Sequence, residues 1–360
     1  MAMAMRMLLH LLAIGVARAL APLSACKAAG RSGRFGICSG AATPIVLRGS
    51  NYIRLGGPEG SGTYHSTFDT CAVNCYNRSR FLAAFKAMQY DGYNINRVFL
   101  DALPGRGIGG NTTATAALDP AWMDRLALYI ADAEAHGIYT MVTMVRVPNN
   151  AYFRNFSASH SPPLGPEWQT WNAAFLTQAG QAAFAEYGAR LSAGLKDRLP
   201  DAAQQNAVLV SLQNEFFLNG DEYPFGPHRN ISVTLGDGVK YDMHSAKDRQ
   251  QAADANTNRW ATRARDQIRQ HLPTTLVTVG VFTFRAVQKD GPNGLALDGC
   301  NSAAGTGTGA MRASSAAVDC RFPARPFWPV GPSSFPVRLF PVSQYLLLPV
   351  PAYRSAQTRC

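Results

Sequence analysis

The sequence predicts an α/β fold: a (β/α)8 barrel of the TIM type that is incomplete, with about five β/α units recognisable. Three observations predict it. Apolar, β-branched runs alternate with amphipathic helical stretches over the first 290 or so residues, the pattern of a parallel sheet. The segments following the runs are long (Gly56 to Asn77, Asp101 to Ala117, Arg146 to Trp171, Glu215 to Lys247), and barrel enzymes build their sites from such strand-to-helix loops. No Gly-x-Gly-x-x-Gly turn follows the first run, which argues against a doubly wound dinucleotide-binding sheet. The 360 residues accommodate one barrel of roughly 250 residues plus a targeting segment.

In chain order, Ile45 to Arg48 and Asn51 to Leu55 read as a first strand, with Gly49 and Ser50 between them. An amphipathic helix over Ser79 to Gln89 ends at Asp91-Gly92, and Asn94 to Leu100 (NINRVFL) is strand two. Asp119 is placed to cap a helix that has Pro120 at its first position and runs to His136-Gly137. Ile138 to Val145 (IYTMVTMV) is almost wholly apolar, as a strand covered on both faces must be. One long helix is expected from about Asn172 to Leu199. Ala207 to Gln213 is strand four, Asp248 to Leu272 a further helix, and Thr274 to Val281 strand five.

The character changes near residue 290. The 71 residues from Asp290 to Cys360 contain nine prolines and an Ala/Gly/Ser/Thr tract from Asn301 to Ala317. Three more β/α units would need roughly 30 residues each, and the prolines exclude helix over most of this stretch. Val337 to Phe340 and Tyr345 to Pro349 supply one or two strands at most. Between Cys300 and Cys360 there are six arginines, one acidic residue (Asp319) and no lysine, a composition resembling translation through an intron or in a shifted frame. The domain reading is therefore a signal peptide over 1–21, barrel residues over 22–294, and an aberrant or disordered Pro/Ala/Gly/Arg-rich tail over 295–360.

The signal peptide is read from Arg6 ahead of an apolar run, Met7 to Val16, with small-x-small cleavage sites at Ala17-Arg18-Ala19 and Ala19-Leu20-Ala21. The run is too short to span a bilayer; an uncleaved anchor or a buried helix is the alternative. Four glycosylation sequons start at Asn77, Asn111, Asn155 and Asn230 and accord with export. Of seven cysteines, Cys26 with Cys38 and Cys71 with Cys75 are spaced to close loops, and the odd number leaves at least one unpaired or bonded to another chain. The net charge of +11 comes from 28 arginines and six lysines against 23 acids, with no block of like charge resembling a nucleic-acid or membrane patch. Neither nucleic acid nor membrane is an expected partner. The remaining histidines, at 136, 160, 228, 244 and 271, form no ligand-spaced cluster, so neither metal nor cofactor is expected. Ser66 and Ser211 lack the Gly-x-Ser-x-Gly turn of a serine hydrolase.

Asn214-Glu215 ends the apolar run Val208 to Gln213. At the C-terminal end of a barrel strand a carboxylic acid can protonate a leaving glycosidic oxygen once burial raises its pKa, and the adjacent amide can bond a sugar 2-hydroxyl. A solvent-facing pair starting a loop fits the same spacing.

Three motifs in order carry a resemblance. Arg48-Gly49-Ser50-Asn51-Tyr52-Ile53-Arg54-Leu55, followed by Tyr64-His65-Ser66-Thr67-Phe68, then Gly92-Tyr93-Asn94-Ile95-Asn96-Arg97-Val98, then Gln213-Asn214-Glu215, make the stretch from Leu47 to about Gly294 resemble glycoside hydrolase family 5, a cellulase- and mannanase-like family of clan A. The resemblance implies Glu215 as acid/base, Asn214 as substrate contact, Arg97 as support for the nucleophile, and His65 in the sugar site. Trp168 and Trp171, after strand three, are candidates for stacking on sugar faces, with packing on the barrel rim as the alternative. Asp101 is a rim carboxylate or a turn cap.

Retaining hydrolysis needs a second carboxylate about 5 to 5.5 Å from the first, which in this clan is a Glu ending strand seven. The glutamates stand at 59, 134, 167, 186, 215 and 222, with none after Glu222. Glu222 follows Glu215 by seven positions on the same loop, so no residue matches the nucleophile. The expectation is a secreted retaining glycoside hydrolase of β-linked polysaccharide, mannan or cellulose in type, impaired as written. Two other readings stay open: a carbohydrate-binding pseudoenzyme, and an inactive product of a mis-assembled reading frame.

Overall fold

The computed structural model describes residues 19–27, 35–40, 43–51, 68, 76–100, 107–110, 116–160, 164–214, 216–220, 222–226, 231–281 and 338–341. Residues 1–18 of the expected signal peptide, His65, Cys71, Cys75, Asp101, Glu215 and most of the Pro-rich tail lie outside them, whereas residues 19–21, the end of the stretch read as signal peptide, are described.

Six parallel strands form the main sheet: β4 (Gly49–Asn51), β5 (Ile95–Leu100), β6 (Tyr139–Met144), β7 (Val208–Ser211), β10 (Leu276–Val281) and β11 (Arg338–Pro341). Their order in space is their order in the chain, each new strand adding on the same side. A doubly wound sheet reverses direction at a switch point, whereas a barrel does not. The chain is thus an α/β protein with the winding of an incomplete (β/α)8 barrel. Among the described residues β4 and β11 are the two ends of the sheet. The strand expected at Val337 to Phe340 falls at Arg338–Pro341 and pairs in parallel with β10.

The helices are α1 (Arg78–Tyr90), α2 (Pro120–Glu134), α3 (Ala151–His160), α4 (Ala173–Leu176), α5 (Gln178–Arg198), α6 (Ala202–Asn206) and α7 (Ala246–His271). Asp119 caps α2 by accepting the backbone N–H of Trp122 at 2.9 Å, with Pro120 at the first helical position. A mixed core of aliphatic residues and large aromatics, including Trp122, Trp260, Tyr129 and Phe184, fills the space between helices and sheet.

Four expectations need correction. The first sheet strand occupies Gly49–Asn51, the two residues left between the apolar runs together with the first residue of the second run. A Cβ on Gly49 would stand 2.1 Å from the Ile95 carbonyl oxygen, so the close approach of β4 to β5 demands glycine, which an apolar pattern does not register. The long helix from Asn172 is two, broken at Thr177. That residue takes an extended backbone, donates its hydroxyl to Ala173 O at 2.7 Å and accepts Gly180 N–H at 3.0 Å, capping α5. The loop after β6 contains α3. The loop after β7 contains an antiparallel hairpin, β8 (Ser232–Thr234) and β9 (Lys240–Asp242).

Ahead of the sheet, β1 (Leu23–Lys27), β2 (Phe35–Ser39) and β3 (Thr43–Ile45) form an antiparallel sheet crossed by the Cys26–Cys38 disulfide. Leu23 packs with Ile95, Tyr139 and Leu209, and Ile37, Ile45, Leu47 and Leu276 join that cluster. These are the first inward positions of β5, β6, β7 and β10, so the small sheet plugs the N-terminal end of the strands. The Tyr139 hydroxyl fixes the plug by donating to Ala21 O at 2.7 Å.

Candidate functional site

Side chains alternate along β5. Asn96, Val98 and Leu100 face the helices: Asn96 accepts the Tyr129 hydroxyl at 2.8 Å, and Val98 and Leu100 join the main core. Ile95, Arg97 and Phe99 face inward. Arg97 is the charged residue of this inner row, and its guanidinium reaches along three neighbours. Nε donates to Thr143 Oγ1 on β6 at 2.9 Å, Nη1 to Asn51 Oδ1 on β4 at 3.3 Å, and Nη2 to Asn214 Oδ1, just past β7, at 3.0 Å. The Arg97 Cζ also lies 4.8 Å from the centre of the Phe99 ring.

All three acceptors sit at the C-terminal ends of their strands: Asn51 is the last residue of β4, Thr143 the last but one of β6, and Asn214 follows β7 by three. Ligand sites of parallel α/β sheets lie at those ends. Arg97 therefore joins β4, β5, β6 and the segment after β7 at those ends. The acceptors of these three bonds are neutral oxygens, and charge-assisted bonds of this kind fix the plane of the guanidinium.

The backbone around 214 is held from the far side by β10. Leu212 N–H donates to Thr278 O at 2.8 Å, Gly280 N–H to Gln213 O at 3.0 Å, and Phe216 N–H to Gly280 O at 2.7 Å. A Cβ on Gly280 would lie 2.4 Å from Asn214 O and 2.8 Å from Gln213 O, so only glycine lets β10 come this close. Asn214 presents its oxygen to Arg97, while its Nδ2 donates to no described residue. Glu215 stands between these anchored neighbours in sequence and lies outside the described residues.

The loop carrying Glu215 is tied to the loop after β6. Glu222 Oε2 accepts the backbone N–H groups of Trp171 at 2.7 Å and Asn172 at 3.4 Å, at the start of α4. The Trp171 indole donates to Phe217 O at 2.9 Å, and Asn172 exchanges bonds with Asn219 at 2.8 Å each way. Trp171 stacks on Phe217 with ring centres 5.4 Å apart. Trp168 meets Tyr223 edge-on at 4.7 Å. Both tryptophans are half-buried against this loop, so packing is their visible contact. Burial raises the Tyr223 phenol above its ordinary pKa, and the nearby Glu167 carboxylate adds to the rise.

The structure thus brings together Arg97 and Asn214, and joins Trp168 and Trp171 to the loop of Glu215; His65 lies outside the described residues. It adds Asn51, Thr143, Gly280 and Glu222, to which sequence reasoning gave no such role. Asn51 belongs to the opening motif, and Thr143 is a polar residue inside an apolar run. Both were visible signals. Gly280 and Glu222 act through backbone approach and backbone capping, which leave no spacing pattern. Among the described residues no group of three or more His, Cys, Asp or Glu stands together to hold a metal, and no helix is long and apolar enough to cross a membrane.

No family profile and no curated protein matches the sequence. Among solved structures, an exo-β-1,4-mannosidase from Opitutaceae bacterium strain TAV5 aligns at 15% identity and a TM-score of 0.39, over 68% of this chain and 33% of that one. A β-mannanase from the blue mussel Mytilus edulis aligns at 18% identity and 0.41, over 81% and 71%. A GH5_18 protein from Streptomyces cattleya in complex with GlcNAc aligns at 19% identity and 0.33, over 57% and 40%. The chain spans a third of the length of the first and two-fifths of the length of the third. Scores this low at such identities establish no shared chemistry.

Proposed function

We propose that this chain is a secreted protein of the retaining glycoside hydrolase type, built to bind a β-linked polysaccharide of the mannan or cellulose kind, with its own hydrolysis impaired. The observation that carries the reading is the Arg97–Asn214 hydrogen bond at the C-terminal ends of the parallel strands. It fixes the Asn214 amide with its oxygen turned to the guanidinium, leaving Nδ2 to donate to a sugar 2-hydroxyl. Glu215, next in sequence, protonates the leaving glycosidic oxygen. Arg97 supplies positive charge beside the place where an attacking carboxylate belongs. No glutamate follows Glu222, and Glu222 is spent on the backbone of Trp171 and Asn172, so the covalent step lacks its nucleophile. The neighbouring pair of motifs at β4 and β5 and the family resemblance support the same reading. Export is supported by the signal-like N-terminus, the four sequons and the Cys26–Cys38 disulfide, a bond that persists in oxidising compartments.

The full chain, secreted and purified, is assayed with aryl β-mannosides and β-glucosides and with soluble mannan. Turnover several powers of ten below an intact retaining enzyme is expected, by analogy with loss of other covalent nucleophiles. Robust turnover abolished by Glu215→Gln would keep the hydrolase and overturn the impairment. A second reading, a carbohydrate-binding pseudoenzyme, is favoured by the engagement of Glu222 in capping. It predicts oligosaccharide binding without hydrolysis.

A further inference from the structure

Asn77 opens the sequon Asn77-Arg78-Ser79 and is also the cap of α1, and its amide divides these duties between its two atoms. Oδ1 accepts the backbone N–H of Arg80 at 3.1 Å and the Ser79 hydroxyl at 2.8 Å. Nδ2 donates to no described residue, and the side chain is exposed. Among the described residues, then, the acceptor half of the amide is consumed and the nitrogen has no partner. Substitution on that nitrogen keeps the carbonyl, so the cap survives it.

Asn155, by contrast, stands inside α3, where it caps nothing. Asn111 and Asn230 lie outside the described residues. Around Asn77 the helix start is secured independently of the amide nitrogen: Arg78 pairs with Asp132 through Nε at 2.8 Å and Nη2 at 2.9 Å, and Phe81 is buried against Tyr129. A bulky, hydrated substituent can be carried there without disturbing the packing below.

We propose that Asn77 is an N-glycosylation site whose glycan is borne on a helix cap. In the transfer, C1 of an oligosaccharide carried on a polyprenyl diphosphate forms a bond to Asn77 Nδ2. The C1–oxygen bond to the diphosphate breaks, the polyprenyl diphosphate departs, and the Nδ2 proton passes to a base of the membrane-bound transferase. The proposal rests on the secretory reading given above.

The test expresses the full chain in a eukaryotic secretory host, once with its own N-terminus and once behind an established export signal. Exported protein is deglycosylated enzymatically in heavy-oxygen water and mapped by mass spectrometry. A labelled aspartate at 77 is expected, retained in Ser79→Thr and lost in Ser79→Ala, which keeps the Arg80 N–H bond of the cap. Asn77→Asp should lack the glycan and unfold at the same temperature as the deglycosylated chain, because a carboxylate still caps α1. Unmodified Asn77 in protein exported by either route overturns the proposal, as does labelling that persists in Ser79→Ala. Modification seen only behind the added export signal supports the site and refutes secretion by the native N-terminus.

Discussion

Arg97 on β5 and Asn214 beyond β7 are joined by a 3.0 Å hydrogen bond from Nη2 to Oδ1, although 117 positions separate them in the chain. The bond closes a path of side chains across the C-terminal ends of four neighbouring segments, from Asn51 through Arg97 and Thr143 to Asn214. A flexible lysine cannot make three bonds from one planar fork. Arg97→Lys should release the Asn214 amide and weaken oligosaccharide binding by about 1.5–3 kcal/mol, the worth of a charge-assisted bond. Titration of the variant against β-1,4-linked oligosaccharides checks this. Unchanged affinity would remove Arg97 from the site.

Gly280 has no room for a methyl group against Gln213 and Asn214. Gly280→Ala should push the segment after β7 away from β10 and lower stability by about 1–3 kcal/mol, the usual cost of overpacking. Denaturant unfolding measures the loss. Sugar affinity should fall alongside it, because Asn214 moves with its backbone.

Glu222 ties the loop after β7 to the start of α4 through the N–H groups of Trp171 and Asn172. Glu222→Ala leaves those donors without their carboxylate and should cost about 1–3 kcal/mol, whereas Glu222→Gln retains an acceptor oxygen and should cost less. Tryptophan fluorescence reports the loop directly, since Trp168 and Trp171 pack on it. The alanine variant should shift that emission well before global unfolding.

Several tyrosines titrate above their ordinary value in the folded chain. Tyr241 is raised by burial, by its hydrogen bond to Asp237 and by the charges of Asp237 and Asp248; Tyr139 by burial; Tyr223 by burial and Glu167. A raised phenol favours the folded state below the unfolded pKa of about 10, and that contribution is lost as pH rises through the folded value. Stability should therefore be insensitive to these groups at neutral pH and fall steadily above about pH 10. Tyr241→Phe should flatten part of that fall, readable as unfolding midpoint against pH.

The barrel winding was legible because covered parallel strands are nearly continuous apolar runs, as in Ile138 to Val145 and Ala207 to Gln213, and because Asp119-Pro120 carries its own helix start. Asn214 was legible from its place just past an apolar strand as well as from motif likeness, Arg97 through motif likeness alone; no periodicity ties residues so far apart. What escaped reading was set by backbone contact. Gly49 forms the first strand because it alone fits beside Ile95, Thr177 breaks a helix by bonding its own backbone, and Gly280 matters for the atom it lacks. The hairpin of β8 and β9 has only three residues per strand, too short for an alternating pattern to stand out.

The most direct measurement is a calorimetric titration of the full chain and of Asn214→Ala with β-1,4-linked manno- and cello-oligosaccharides, since the amide of Asn214 is the group offered to the sugar. The account predicts binding by the unaltered chain and a loss of about tenfold or more in the variant, the effect of removing one buried hydrogen bond and its oriented partner. Equal affinity in the two proteins, or no binding of any β-linked oligosaccharide by the unaltered chain, would contradict it.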